Sequence, residues 1–280
     1  MKTTLNKYRI AFSIAAFFAS SSLFAQSDAQ IIKASAQLKI DGKLTEFADS
    51  LQNYDKTTHL YYAFANDANN LYVFIKANNR QDQSKIMAGG ISVSVNANGK
   101  KKAVSTITFP VVDRTAMMAE MRNRGNREER PSGQAGNPTA GREEMRKRIL
   151  GQLKEIKING LKDLSVESIS IYNTYGIKTG INYNDKDALI YELAIPLALV
   201  NVNDLNKEIA INVKLNGLQM PESTNNNRGD LGGESYGSGS GRMGAMGGGF
   251  YGRPSGSSYG GEVSPMFTST EFWVKAKLAQ

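Results

Sequence analysis

A two-residue hydrophobic rhythm runs through most of this chain and constrains its fold more than any other feature. In residues 90–99, GISVSVNANG, Ile91, Val93 and Val95 fall on one face and Ser92, Ser94 and Asn96 on the other. Residues 208–217, EIAINVKLNG, repeat the pattern with Ile209, Ile211, Val213 and Leu215, and residues 270–278, TEFWVKAKL, alternate again. Alternation of this kind marks a strand with one face buried. LYVFIKA at 71–77 is a dense apolar strand, VESISIYNTYGIKTGINY reads as two short strands around a bend at Gly176, and ALIYELAIPLALV is a strand ending near Pro196, whose missing N–H suits a strand end. With turn signals at Asp41-Gly42, NDANN and NANGK, eight or more such strands predict an all-β fold. The expected form is a two-sheet antiparallel β-sandwich, jelly-roll or immunoglobulin-like.

Two stretches interrupt the rhythm. Residues 113–157 hold 11 Lys or Arg against 7 Asp or Glu, and Met145, Ile149, Leu153 and Ile156 recur at helical spacing. This predicts a basic helical insertion, a polar helix lying across a sandwich edge; a contact for an anionic polymer or a membrane surface is the competing reading. Residues 217–266 are of low complexity and carry 15 of the 27 glycines. Such a composition buries too little surface to offset the entropy of ordering, so a glycine-rich disordered loop is expected there. A convincing strand follows it, which makes it internal. Closing about fifty residues rather than five adds only about 2 kcal/mol by the logarithmic rule.

The first residues read as an address. Lys2, Lys7 and Arg9 precede the apolar run IAFSIAAFFA at 10–19, the pattern of a secretory signal peptide and too short to span a bilayer. Cleavage after Ala25 is preferred over Ala29, giving a signal peptide at 1–25 and one β-sandwich domain at 26–280. No later stretch has the length of apolar sequence a membrane helix needs, so no transmembrane helix is expected after signal removal. The chain has 0 Cys, which excludes disulfides and thiolate metal sites. The formal charge of +8 falls to +5 without the three basic leader residues, and much of that excess sits in 113–157. A surface built to follow nucleic acid is a poor reading. An exported protein, periplasmic or extracellular, is expected.

IDGKLTEFADS, then YYAFANDANNLYVFIKANN, then GISVSVNANGKK, then YELAIPLALV and TEFWVKAKL together resemble the family 9 carbohydrate-binding modules and their DOMON-like relatives. The resemblance covers most of residues 30–110 and 165–280 and rests on the order of short motifs. It implies a non-catalytic module in which aromatic rings clamp a sugar, often with calcium as a structural ion. The chain departs from that pattern in having 1 Trp where two commonly form the clamp, and in carrying Thr45, Glu46 and Phe47 where the family has an acidic residue, Glu and Trp.

Among single residues Trp273 is the most suggestive. Phe272, Val274, Ala276 and Leu278 share one face of its strand, leaving Trp273 opposite with Lys275 and Lys277, where its flat ring could stack on a pyranose. Burial beneath the glycine-rich loop or the basic helix is the alternative. Tyr61, Tyr62 and Tyr72 add aromatic surface or cross-strand packing. Asp41, Glu46 and Asp49 are candidate oxygen ligands for calcium, against a reading as a turn aspartate, a first-turn glutamate and a cap; Asp67, Asn69 and Asn70 form a similar polar turn. His59 is the one histidine. It stands in no nucleophile-elbow context, and pairing it with a Met as a haem ligand competes with an exposed strand-end residue. No pair of carboxylates is marked for glycoside hydrolysis, and no phosphate loop is present.

The expected function is therefore an exported, non-catalytic binding module whose ligand class is carbohydrate. The alternative is a cell-envelope interaction or scaffold protein that uses the same sandwich without sugar, its partner an envelope component met by the two insertions.

Overall fold

Twelve strands and two helices are laid out in the computed structural model, which describes residues 30–34, 36, 38–47, 51–112, 138–218 and 264–280. In chain order the first half comprises β1 (Ile31–Lys33), β2 (Asn53–Asp55), β3 (Leu60–Asn66), β4 (Asn70–Ala77), helix α1 (Arg80–Gly89), β5 (Ile91–Asn96) and β6 (Ser105–Phe109). Helix α2 (Pro138–Gln152) follows, then β7 (Glu155–Asn159), β8 (Ser168–Ser170), β9 (Lys178–Tyr183), β10 (Leu189–Pro196), β11 (Glu208–Leu215) and β12 (Thr270–Lys277). They form two six-stranded sheets. The first has the order β1-β3-β4-β10-β9 with β2 also paired to β3, and the second the order β12-β11-β5-β6-β7-β8. The fold is the expected two-sheet β-sandwich with a helical insertion.

Three details differ from the sequence reading. Strand β1 runs parallel to β3, with Ile31 opposite Phe64, so the first sheet is not wholly antiparallel. The two strands around Gly176 belong to different sheets, β8 to the second and β9 to the first. The helical face expected from Met145 to Ile156 breaks up as well. Helix α2 stops at Gln152, Leu153 is buried beyond its end and Ile156 is an inward residue of β7. Most of both interruptions, residues 113–137 and 219–263, lies outside the described residues.

The core explains why some strands alternate and others do not. Between the sheets, Leu60, Phe64, Val73 and Ile75 of the first meet Val93, Val95, Ile107, Ile211 and Val213 of the second. The first sheet is also covered on its outer side. There Leu44 and Leu51, with Leu38, Ile40 and Phe47 beside them, pack on Ala63, Tyr72, Phe74, Ile190 and Ala194. Phe47 lies with its ring centroid 4.7 Å from that of Phe74, and Leu44 is fully buried, a burial worth about 2 kcal/mol. Strands β4 and β10 thus have apolar neighbours on both sides, and their sequences are continuously apolar. Strands β5, β11 and β12 have only one, and they alternate.

The strap formed by residues 38–47, with Leu51 beyond them, is fastened at its Asp41–Gly42 turn. Both backbone N–H groups, of Asp41 and Gly42, donate to one carboxylate oxygen of Glu192 on β10, each at 2.8 Å. Gly42 has φ +78 and Gly180 of β9 lies directly beneath it; a Cβ on Gly180 would stand 2.6 Å from the Gly42 nitrogen. Only two residues lacking side chains let the strap approach this closely.

Further along, Asn66 joins distant parts of the chain. Its carbonyl accepts from the Ala34 N–H at 2.8 Å. Its side-chain amide accepts from the Ala279 N–H at 2.8 Å and donates to the Ala279 carbonyl at 3.0 Å. Helix α1, capped by the Asn79 side chain on the Gln81 N–H, carries the chain from β4 in the first sheet to β5 in the second. Helix α2 reaches the edge strand of the first sheet: the Arg146 guanidinium sits 3.9 Å over the Tyr183 ring and pairs with Asp187 at 2.5 Å.

Candidate functional site

With the outer side of the first sheet closed by the strap, the outer side of the second is the sandwich face that carries polar groups. Pairing register places its outward residues in rows. One row runs Trp273, Asn212, Ser94, Thr106 and Asn159 across β12, β11, β5, β6 and β7. The next runs Glu271, Lys214, Ser92, Thr108 and Lys157. Neighbouring strands are about 4.8 Å apart, so each row spans about 19 Å.

An open groove of about 410 Å³ lies along the first four strands of this face. Its walls include Trp273, Asn212, Ser94, Thr106, Lys214 and Glu271, and the turn between β5 and β6 closes one end with Lys101 and Lys102. Hydrogen bonds hold this lining in place. The Ser94 and Thr106 hydroxyls are 2.8 Å apart and those of Ser92 and Thr108 2.7 Å. Asn212 donates to the Phe272 carbonyl at 3.0 Å. Asn96 donates to the Lys102 carbonyl at 2.9 Å and accepts from the Asn98 N–H at 3.0 Å, which pins the lysine-bearing turn over the groove. The Ser92 hydroxyl is further engaged by the Asn216 amide, which donates to it at 3.0 Å and accepts from it at 3.3 Å. In the Ser94–Thr106 pair one O–H is used and the other remains for an incoming group.

Charge on this face is uneven. Lys275 is paired with Glu208 at 3.3 Å. Among the described residues no carboxylate forms an ion pair with Lys101, Lys102 or Lys214; Lys214 and Glu271 face each other in register without closing one. The groove therefore presents three ammonium groups against one carboxylate.

Trp273 is partly exposed in the groove, on the polar face of its strand as its spacing predicted. The other aromatic candidates are elsewhere. Tyr61 is on β3 in the first sheet, its ring centroid 4.8 Å from that of Tyr54, on the side the strap covers. Tyr62 is turned inward and packs on Phe272. Tyr72 is corrected outright as a ligand contact: it is 0% exposed beneath the strap, and its hydroxyl donates to Asp67. Burial and that bond push the Tyr72 hydroxyl up to about 12. Asp67 in turn accepts the Asn69 and Asn70 N–H groups at 2.7 Å each, closing the β3–β4 turn. Burial alone would raise its carboxyl, but these bonds outweigh it and leave it below the usual range.

Of the calcium candidates, Asp41 and Glu46 are each engaged locally. The Asp41 carboxylate pairs with Lys39 at 2.7 Å and accepts from the Lys43 N–H. Glu46 is exposed and accepts from the Thr45 hydroxyl. Asp49 lies outside the described residues. Among the described residues no three His, Cys, Asp or Glu side chains stand together as a metal site. His59 occupies the turn before β3 with φ +56. Its side chain is 55% exposed, and its Nδ1 is 3.6 Å from Asp82. Burial raises the Asp82 carboxyl and lowers the neighbouring Lys85 ammonium, each effect opposed by the other's charge. No hydroxyl or thiol nucleophile bonds to His59 among the described residues.

Sequence reasoning identified Trp273 and the Ser92–Ser94 face but not the lysine turn or Asn212. A GKKK run at 99–102 two strands away from Trp273 gives no sign of proximity until β5, β11 and β12 are placed in register. No protein-family model, curated protein or solved structure matches this chain significantly. Among the described residues no helix is long and apolar enough to cross a membrane.

Proposed function

We propose that the chain is an exported, non-catalytic binding protein of the carbohydrate-binding-module type, and that its ligand is a glycan lying along the groove of the second sheet. The observation carrying this reading is the placement of Trp273, a flat apolar ring at the end of a row of Asn, Ser and Thr groups. That combination suits a sugar, which offers an apolar C–H face to an aromatic ring and hydroxyls to polar neighbours. The sequence resemblance to the family 9 modules supports the same ligand class. The site differs from that resemblance in using a sheet face with one ring rather than two rings as a clamp.

Because Trp273 is the one Trp in the chain, its emission reports on the groove directly. Titration with a panel of soluble oligosaccharides is expected to shift or quench it saturably, and Trp273→Ala is expected to abolish binding measured by calorimetry while leaving the thermal transition in place. Binding by Trp273→Ala equal to wild type refutes the reading.

The alternative of an envelope scaffold is favoured by one observation: the Ser and Thr hydroxyls of the groove already bond to each other. A pull-down from envelope extract that recovers one protein stoichiometrically, undiminished by saturating glycan, would support the scaffold over the module.

A further inference from the structure

Beyond sugar binding as such, and resting on that reading, we infer that the groove selects an anionic glycan, one bearing carboxylate or sulfate groups, and that Lys101, Lys102 and Lys214 determine this selectivity. A site for neutral sugar needs a stacking ring and hydrogen-bonding groups. Three ammonium groups around the same ring need a further reason. Lys214 arises from β11, the strand beside the edge strand β12, in the row next to Trp273. Lys101 and Lys102 come from the β5–β6 turn, at the groove's end. They converge from two separate elements on one open space.

The turn is held for this purpose by more than chance. Asn96 clamps its two sides through the Lys102 carbonyl and the Asn98 N–H. Gly99, at φ +65, lets it close against the Glu208 carbonyl, where a Cβ would stand 3.0 Å away. Lys275, just beyond the groove, has its charge answered by Glu208; the three groove lysines have no such partner among the described residues. Among the described residues Glu271 is the single opposing charge at the wall. The excess is positive.

Lysine heads are compact charges on flexible stems, with no fixed fork. They attract an anionic substituent without dictating its geometry, so carboxylate and sulfate are both accommodated. The contribution is largest at low salt, because the Debye length is about 8 Å at physiological ionic strength. Trp273 supplies the face on which the ring rests, and the lysines choose among rings by charge.

The test compares oligomers of equal length on the full chain: an oligogalacturonate, a chondroitin sulfate fragment, a neutral cello-oligosaccharide, and polyglutamate as a polyanion without sugar rings. Trp273 emission and calorimetry give the affinities. The expected result is binding of one or both acidic glycans at least about tenfold tighter than the neutral one. That preference falls with added salt and is removed by Lys101→Gln/Lys102→Gln, whose unfolding curve stays as in wild type. Lys214→Gln alone provides a second variant that leaves the turn intact and is expected to cost severalfold.

Equal affinity for neutral and acidic glycans overturns the charge selection and leaves the sugar reading standing. No response to any glycan overturns both. Polyglutamate binding as tightly as the acidic glycans, and abolished by the same lysine substitutions, shows a general polyanion site and overturns the inference. So does a ligand-free protein whose Trp273 already resists acrylamide quenching because another part of the chain or a second copy fills the groove.

Discussion

Replacing Glu192 by Gln tests how the strap is fastened. Glu192 is fully buried. One carboxylate oxygen accepts the Asp41 and Gly42 N–H groups at 2.8 Å, and the other has no partner among the described residues. Burial disfavours the charged form; the two N–H donors oppose this and the carboxylates of Asp41 and Glu46 add to it, pushing the group from 4.5 up to about 7. A raised folded-state pKa means that the native protein holds a proton the unfolded chain has already released. The stabilisation is complete below about pH 4.5, declines as the pH rises, and is gone above about pH 7. At about 1.4 kcal/mol per tenfold change in proton affinity, this amounts to about 3 kcal/mol. Glutamine keeps the acceptor for both N–H groups and cannot titrate. Urea unfolding of both proteins from about pH 4.5 to about pH 8 is therefore expected to show the stability of wild type relative to Glu192→Gln falling by about 3 kcal/mol. Parallel curves across that range would refute both the burial of the carboxylate and the docking of the strap over it.

Two other substitutions probe the packing. In Gly180→Ala the new methyl meets the Gly42 backbone nitrogen at 2.6 Å; neither backbone can swing aside, and a loss of about 1–3 kcal/mol in denaturant unfolding is expected, whereas Gly151→Ala, where nothing lies within 4 Å, is expected to gain a few tenths of a kcal/mol or more as helix propensity improves. Arg146→Ala removes the stacking on Tyr183 and the pair with Asp187; global stability should change by under about 1 kcal/mol, while hydrogen exchange of the α2 amides accelerates and that of the two sheets does not, and unchanged α2 protection would show the helix held by something else.

How much the sequence reveals depends on what each strand touches. Strands β5, β11 and β12 are plain because one face is apolar and the other is wet. Strands β4 and β10 are equally plain as apolar runs, but that pattern does not say what covers the second face, which is why Tyr72 reads as available surface and is in fact sealed beneath Leu44 and Phe47. Helix α1 escapes a search for apolar periodicity altogether. Its buried side chains are Asp82, Gln83, Lys85 and Ile86, three of them polar, and its only advance signal is Asn79 as a cap with Asp82 in the first turn. Ile156 misleads for the opposite reason: it continues the spacing of Ile149 and Leu153 but also alternates with Ile158, and a short apolar pattern serves either period. At the site, Trp273 is found from its own strand. Asn212 and the lysine turn depend on register between strands far apart in the chain, which no local pattern encodes.

The grip of Asn66 on both Ala34 and Ala279 has a bearing on when this protein can acquire its shape. Its bond to Ala279 spans 213 positions, and β12 is the last partner of β11. Contacts this distant are entropically expensive to bring together and slow the search. A ribosome that has delivered the first two hundred residues has therefore released a body with a raw edge at β5 and no clasp. Closure of the sandwich waits on residues 270–279, which complete β12 and the bond to Asn66.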